Sequence, residues 1–223
     1  MKDKKLVFIS DTHTQHNKIE VPDGDFIIHC GDVSYKGTEN EIIDFADWFC
    51  SLPHKHKIMI PGNHDFLFER DYDKAKNIMD SRGIICLIDS GIEIEDINFW
   101  GSPITPWFYN WAFNRYRGSE IEHHWNKIPD ITDVLLTHGP PAYMENFLSM
   151  VAEGEDVGCE DLYNAIKKRV NPKINAFGHI HEGYGLHDDG QTIFINCSAL
   201  NRRYVPSNRP VEIRFSEGKF STY

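Results

Sequence analysis

No stretch of this chain is apolar for long enough to cross a bilayer, and its few cysteines fall into no pairing pattern. The opening run MKDKKLVFISD reaches Asp11 after a short apolar stretch, too brief for the core of a signal peptide or for a span of about 20 residues. A chain of this kind is expected to be cytoplasmic, with no membrane partner. The five cysteines, at 30, 50, 86, 159 and 197, form an odd set without a CxxC pair. That argues against a disulfide framework or a zinc knuckle and for reduced, mostly buried thiols. Positive charge is also short, since 23 Lys and Arg stand against 34 Asp and Glu for a formal net charge of -11. Coating the phosphates of duplex nucleic acid needs a clustered cationic footprint, so a duplex is not the expected partner. Linkers, low-complexity tracts and fixed-period repeats are absent too. With 223 residues, 40% of them hydrophobic, the chain can build one sizeable core, and residues 1–223 read as a single domain.

What is present is a succession of short β-rich runs, at 5–10, 25–30, 57–60, 84–88, 92–94, 98–101, 133–137, 173–177, 192–197 and 211–215. Between them the clearest helix covers Glu39 to Leu52, where Ile42, Phe45, Ala46 and Phe49 form an apolar stripe behind a capping box of Thr38 and Glu41. Helices near Tyr72–Ser81, Ser119–Lys127 with Ser119 and Glu122 as a capping box, and Cys159–Val170 follow from weaker patterns. Strands alternating with helices early, then strand-rich sequence late, predict an α/β domain with more than one sheet packed between helices.

Several apolar runs end alike: in Asp11-Thr12-His13, Gly31-Asp32, Gly62-Asn63-His64-Asp65, His138, and Gly178-His179-Ile180-His181. In open α/β sheets the crevice beyond the strands' carboxyl ends binds ligands. The residue types delivered there are carboxylates, one amide and imidazoles, which suit Mn, Fe, Zn, Co or Ni over a sulfur-loving ion. Read as extended chain, Asp11 with His13, and His179 with His181, project from the same side. In a chain with 12 histidines any single one is ordinarily a surface or core residue. The same donor class at five separate strand ends argues instead for a metal centre.

In the order and spacing of these blocks the sequence resembles the calcineurin-like metallophosphoesterase superfamily. A more specific likeness, carried by GSPITPWFYNWAFN (101–114), THGPP (137–141), VGCEDLYNAIKKRVNPK (157–173) and FGHIHEGYG (177–185), is to the small metallophosphoesterase-domain family related to animal cyclic-nucleotide phosphodiesterases. The resemblance implies a four-layer α/β/β/α sandwich with two mixed sheets and a pair of divalent or mixed-valence transition metals. By the same resemblance Asp11, His13, Asp32 and His181 hold the first metal, and Asp32, Asn63, His138 and His179 the second. His64 faces the substrate as proton donor, oriented by Asp65. This chain has His179 where the animal relatives have Gly, and Asp65 where they often have Glu. Tyr35 imitates the tyrosine ligand of purple acid phosphatases, but His13 occupies the block those enzymes lack, so Tyr35 reads as structural.

Two divalent cations held by Asp11, Asp32 and otherwise neutral donors leave surplus positive charge for an anion. The activity implied is hydrolysis of a small phosphodiester, a cyclic nucleotide foremost, by a hydroxide shared between the metals, with His64 as general acid. Phosphomonoester hydrolysis is the alternative within enzymes, although Gly31 to Gly37 lacks the Asp-Arg-Gly continuation of protein phosphatases. A non-catalytic interaction scaffold on the same fold is the alternative of another class, and no substituted position in the donor series favours it. Trp107, Arg202 and Arg203 are candidate substrate contacts. The aromatic run from Trp107 to Phe113 either walls a base-stacking site or packs in the core, and core packing is the commoner outcome.

Overall fold

The computed structural model describes residues 3–143, 148–150 and 154–222. Side-chain alternation decides its layering. Along β1 (Lys4–Ile9), β2 (Phe26–His29) and β3 (His56–Met59), residues Leu6, Phe8, Phe26, Ile28 and Ile58 face one buried cluster. Their neighbours Val7, Ile9, Ile27 and Met59 face another. A sheet buried on both faces needs cover on both. The first sheet runs in the order β14-β13-β1-β2-β3-β4, completed by β4 (Ile85–Cys86), β13 (Val211–Ser216) and β14 (Lys219–Thr222). Strands β1 to β4 are parallel, whereas β13 runs antiparallel to both β1 and β14.

The second sheet is also mixed. It contains β5 (Ser90–Ile94), β6 (Ile97–Ser102), β9 (Val134–Thr137), β10 (Ile174–Phe177), β11 (Gly185–Asp188) and β12 (Ile193–Asn196), in the order β11-β12-β10-β9-β6-β5. Phe99, Val134, Leu136, Ile174, Ala176 and Ile195 join the first sheet's inner residues in one cluster. The sheets therefore pack face to face, with helices outside, as the expected four-layer arrangement requires. A short parallel pair, β7 (Thr105–Pro106) and β8 (Asn114–Arg115), lies beyond β6.

The helices α1 (Glu39–Ser51) and α3 (Tyr72–Asp80) bury Ile42, Phe45, Ala46, Phe49, Ala75, Ile78 and Met79. The Thr38–Glu41 capping box forms as the sequence predicts. The box expected at Ser119 does not. In α4 (Ser119–Trp125) the N-cap is Gly118, whose φ of 82° turns the chain one residue earlier, so Ser119 is already helical. The helical run after Cys159 splits into α5 (Glu160–Ala165) and a π-turn over Ile166–Val170, ended by Asn171 in the left-handed region at φ 48°. A short helix that the sequence pattern does not reveal, α2 (Phe66–Arg70), follows the Gly62–Asp65 loop.

Parallel pairing is what positions the site. It gathers the carboxyl ends of β1, β2 and β3, and separately those of β6, β9, β10 and β12, at common edges. The two edges are stitched together beyond β1 and β12, where Ser10 N–H donates to the Cys197 carbonyl at 2.9 Å and Ala199 N–H to that of Ser10 at 2.8 Å.

Candidate active site

Just past these strand ends the backbone leaves the extended region. Asp11 (φ 52°), His13 (40°), Thr14 (64°), Asp32 (56°) and His179 (68°) all take left-handed conformations that disfavour side chains. The expected extended spacing of Asp11 with His13, and of His179 with His181, is therefore not how these residues converge. They are turned inward by loops that hydrogen bonds lock: Asp11 N–H donates to Gly31 O at 2.9 Å, His13 N–H to Asp32 O at 3.0 Å and Thr14 N–H to Val33 O at 3.0 Å. Strain clustered at one place and held by its surroundings is characteristic of functional sites.

The imidazoles share one arrangement. His13 Nδ1–H donates to Ser34 O at 3.1 Å, His138 Nδ1–H to Cys30 O at 2.9 Å and His181 Nδ1–H to Asn201 O at 3.1 Å. Each bond commits Nδ1–H and leaves Nε2 facing inward. There His13 Nε2 lies 3.6 Å from Asp32, His138 Nε2 3.4 Å from Asp32 and 2.8 Å from Asn63 Oδ1, and His181 Nε2 3.5 Å from Asp11. Backbone carbonyls that orient imidazoles in this way are the usual outer support of metal ligands. Candidate ligand atoms form three overlapping groups, Asp11–His13–His181, His13–Asp32–His64 and Asp32–His138–His179, each within 4.8 Å.

Whether these residues fit a cation can be tested on His13, whose Nε2 is buried with no hydrogen-bond partner. Burial first, offset in part by Asp32, lowers its pKa to about 4, so the ring presents a bare lone pair. Burial similarly lowers His179 to about 3, helped by the charge of His138. Against the pull of burial, Asp32 holds His138 up to about 10 and Asp11 holds His181 up to about 8. The carboxylates mirror this. Burial alone would raise both, yet His181 keeps Asp11, and His138 keeps Asp32, below the usual carboxylate range. Space for them depends on glycine: a Cβ at Gly178 would sit 2.0 Å from Asp11 Oδ2, and one at Gly62 would sit 2.3 Å from Asp32 Oδ1. The donors fit cations, and Asp32 belongs to two of the three candidate groups.

His64 belongs to the same arrangement but is held differently. Its Nδ1–H donates to Tyr35 O at 2.8 Å, its ring stacks on Trp111 at 4.2 Å and 27°, and its backbone N–H reaches Asp32 Oδ1 at 2.8 Å. The expected contact from Asp65 to this imidazole is not made. The Asp65 carboxylate points back along its own loop and accepts from Gly62 N (2.8 Å), Ser34 N (2.9 Å), Val33 N (3.2 Å) and Ser34 Oγ (2.6 Å). Four donors there outcompete one ring. Burial, with the Asp32 charge, pushes Asp65 up to about 6 despite those bonds. Tyr35 acts through its carbonyl while its side chain is half exposed, in keeping with the structural role read from the sequence.

The calcineurin-like phosphoesterase family matches over residues 4–183. The chain belongs to that family. Metallophosphoesterase domain-containing protein 1 of Homo sapiens is 37% identical over 94% of this chain and 70% of its own length. A UPF0046 protein of Caenorhabditis elegans is 35% identical over 93% of this chain and 73% of its own. In fold, the chain is similar to the phosphopantetheinyl hydrolase of Mycobacterium tuberculosis, with a TM-score of 0.62, 18% identity and coverage of 93% and 95%. The family uses a dinuclear metal centre, and membership supports metal-dependent phosphoester hydrolysis. Among the described residues no helix is long and apolar enough to cross a membrane.

The metallophosphoesterase site has parts that sequence reasoning missed. Ser198 Oγ donates to Asp11 Oδ2 at 2.9 Å from a sixth strand end, just after β12, where an isolated serine carried no signal. Tyr204 packs on His13 at 4.9 Å and His181 at 5.1 Å, and Trp111 covers His64. The aromatic run divides. Phe113 is buried as core packing predicts, whereas Trp107 is 48% and Tyr109 77% exposed. Arg202 and Arg203 are exposed in the loop that carries Tyr204, with Arg202 Nε 3.5 Å from Glu182. All five cysteines are free.

Proposed function

We propose that this metallophosphoesterase hydrolyses small phosphodiesters, cyclic nucleotides foremost, with His64 as general acid. Asp11, His13, Asp32 and His181 would hold one cation, and Asp32, Asn63, His138 and His179 the other. When bound, such cations supply Lewis acidity toward the phosphoryl group and acidify water. The observation that carries the reading is the shared anchoring of imidazole Nδ1 on backbone carbonyls, at His13, His138 and His181 for ligation and at His64 for proton transfer.

With Nδ1–H committed to the Tyr35 carbonyl, His64 has only Nε2 for a mobile proton. The protonated ring delivers that proton to the departing oxygen, a service most valuable for a poor leaving group such as a ribose alkoxide. The Trp111 ring, stacked 4.2 Å away at 27°, restricts rotation of the imidazole. Asp65 holds the Gly62 and Ser34 loops together and so sets the height of His64. Trp107 offers a face for a nucleobase, and Arg202 with Arg203 a phosphate contact.

The test is a panel of cyclic nucleotides, linear dinucleotides and phosphomonoesters assayed with added manganese, with and without chelator. Chelator-sensitive turnover of diesters above monoesters is expected, and the reverse preference would replace the diester reading with a phosphomonoesterase. In the His64→Ala variant kcat should fall by roughly 10²-fold or more at unchanged metal content. Loss of the metal with an unchanged rate per bound ion would assign His64 to ligation instead.

A further inference from the structure

Beside the metal-ligand cluster lies a cavity of about 370 Å³, lined in part by Trp107, Phe108, Arg117, Val157, His179 and Ile180. That is within the range of about 300–1,000 Å³ typical of small-ligand sites. His179 belongs both to this lining and to the Asp32–His138–His179 group, so the cavity opens onto the reacting centre. Its other lining residues include Glu155, Asp156 and Glu182. A dinuclear phosphoesterase gathers anions at its metals, yet three carboxylates face one guanidinium in the adjoining space.

Both walls are fixed. On one side Trp107 N–H donates to Arg115 O at 2.8 Å, and its ring stacks on Tyr116 at 5.7 Å and 22°. Asn114 Nδ2 donates to Phe108 O at 2.8 Å, while the Phe108 ring meets His179 edge to face at 5.2 Å. On the other side Arg117 Nη1 donates to Gly158 O at 2.9 Å, and Gly158 N–H and Tyr143 N–H donate to Asp156 at 2.9 and 2.7 Å. The guanidinium is thereby turned toward loop carbonyls, and the Asp156 side chain is held in place. Glu182 pairs with Arg202, whose Nε stands 3.5 Å away.

We infer that this cavity receives the organic group of the ester and selects for flat, uncharged or cationic groups against those bearing a further negative charge. The inference rests on the hydrolytic reading above and adds a rule of substrate choice to it. The aromatic wall supplies stacking that accepts many ring systems. The carboxylates supply the repulsive element that specificity needs in addition to attraction. The metals can thus draw in one phosphoryl group while esters with a second phosphate or a carboxylate on the far end are turned away. Amine and ring N–H donors of an uncharged heterocycle instead meet acceptors.

The test uses methyl aryl phosphates whose ring carries a carboxamide, a carboxylate or an aminomethyl group, assayed on the manganese-loaded full chain. The methyl group is too small to fill the cavity, so the aryl ring reports on it. Wild type should favour the carboxamide and aminomethyl esters over the carboxylate by about tenfold or more in kcat/KM. In the Glu155→Gln/Glu182→Gln variant that ratio should narrow by roughly fivefold, and intrinsic reactivity cancels between the two proteins. Trp107→Ala should raise KM for all three aryl esters by about tenfold with a smaller change in kcat. Glu155→Lys, at an exposed position, repeats the charge test should the double variant fold poorly. Hydrolysis of all three esters with a ratio indifferent to these substitutions would overturn the inference and leave the phosphodiesterase reading standing. Failure to hydrolyse any of them would remove both.

Discussion

Asp65 shows how a residue can matter to a catalytic histidine without touching it. Its carboxylate ties Gly62 to the Val33–Ser34 loop, and both loops carry groups that His64 needs, one its own backbone and the other the Tyr35 carbonyl. Asp65→Asn keeps the shape but turns an NH₂ group toward backbone donors, leaving at least one buried N–H unsatisfied. A loss of about 1–3 kcal/mol is expected, read by chemical denaturation, with a fall in kcat exceeding any change in KM. An unchanged stability would mean that these bonds are dispensable. The recurrence of donor types at strand ends, and not their spacing, pointed to one place, because residue chemistry is legible in one dimension. It could not say that Asp65 would engage amides and not the ring, since an Asp beside a His reads the same either way. Nor could it show that Trp111 and Tyr204 would cover His64 and His13, which are contacts between distant segments.

Among the elements, strands were the most legible part, because their apolar runs are short and five of them end in a polar block. Helix α1 was equally legible through its stripe and capping box. Strand β4 falls inside the apolar run at 84–88, whereas the two-residue strands β7 and β8 had too little pattern to read, and α2 is a single turn set by the preceding loop. The loops at the strand ends carry the site, and their left-handed residues explain why an extended reading of Asp11 and His13 fails. Close approach is their common constraint. Gly178 has Asp11 Oδ2 only 2.0 Å from where a Cβ would stand, with Ser10 Oγ at 2.2 Å. Gly178→Ala must therefore displace Asp11 or the β10 end. At least tenfold weaker binding of manganese is expected, a loss of the size caused by disturbing the support around ligands, measured by titration against a competing chelator. Wild-type affinity in this variant would show that the approach is not critical.

On the scale of the whole molecule, burying neutral histidines makes stability depend on pH. His29 is fully buried: Gly31 N–H donates to its Nδ1 at 3.2 Å, so Nε2–H must be the donor toward Thr12 Oγ1 at 3.2 Å. Burial lowers its pKa from 6.5 to about 3. Between those values the unfolded chain binds a proton that the folded chain refuses, so the folded state loses stability as pH falls through this window. The contribution is fully present above pH 6.5 and declines by up to about 1.4 kcal/mol per pH unit below it. Denaturation in chelator at pH 7 and pH 5 should reveal the decline, and His29→Gln should flatten it. A slope unaffected by that substitution would place the proton uptake elsewhere. The same end of the sandwich holds the whole donor set, which two parallel-stranded edges bring together across the Ser10–Cys197 junction.

Asp32 stands between two imidazoles, 3.6 Å from His13 Nε2 and 3.4 Å from His138 Nε2, where it would serve both of the proposed cations. Elemental analysis after equilibration with manganese and removal of free ion tests this most directly, on wild type and on Asp32→Asn. The expected result is about two ions per chain in wild type and fewer than about one in the variant, since the shared ligand serves both positions. A wild-type chain that retains a single ion or none, or an Asp32→Asn chain that keeps both, would contradict it.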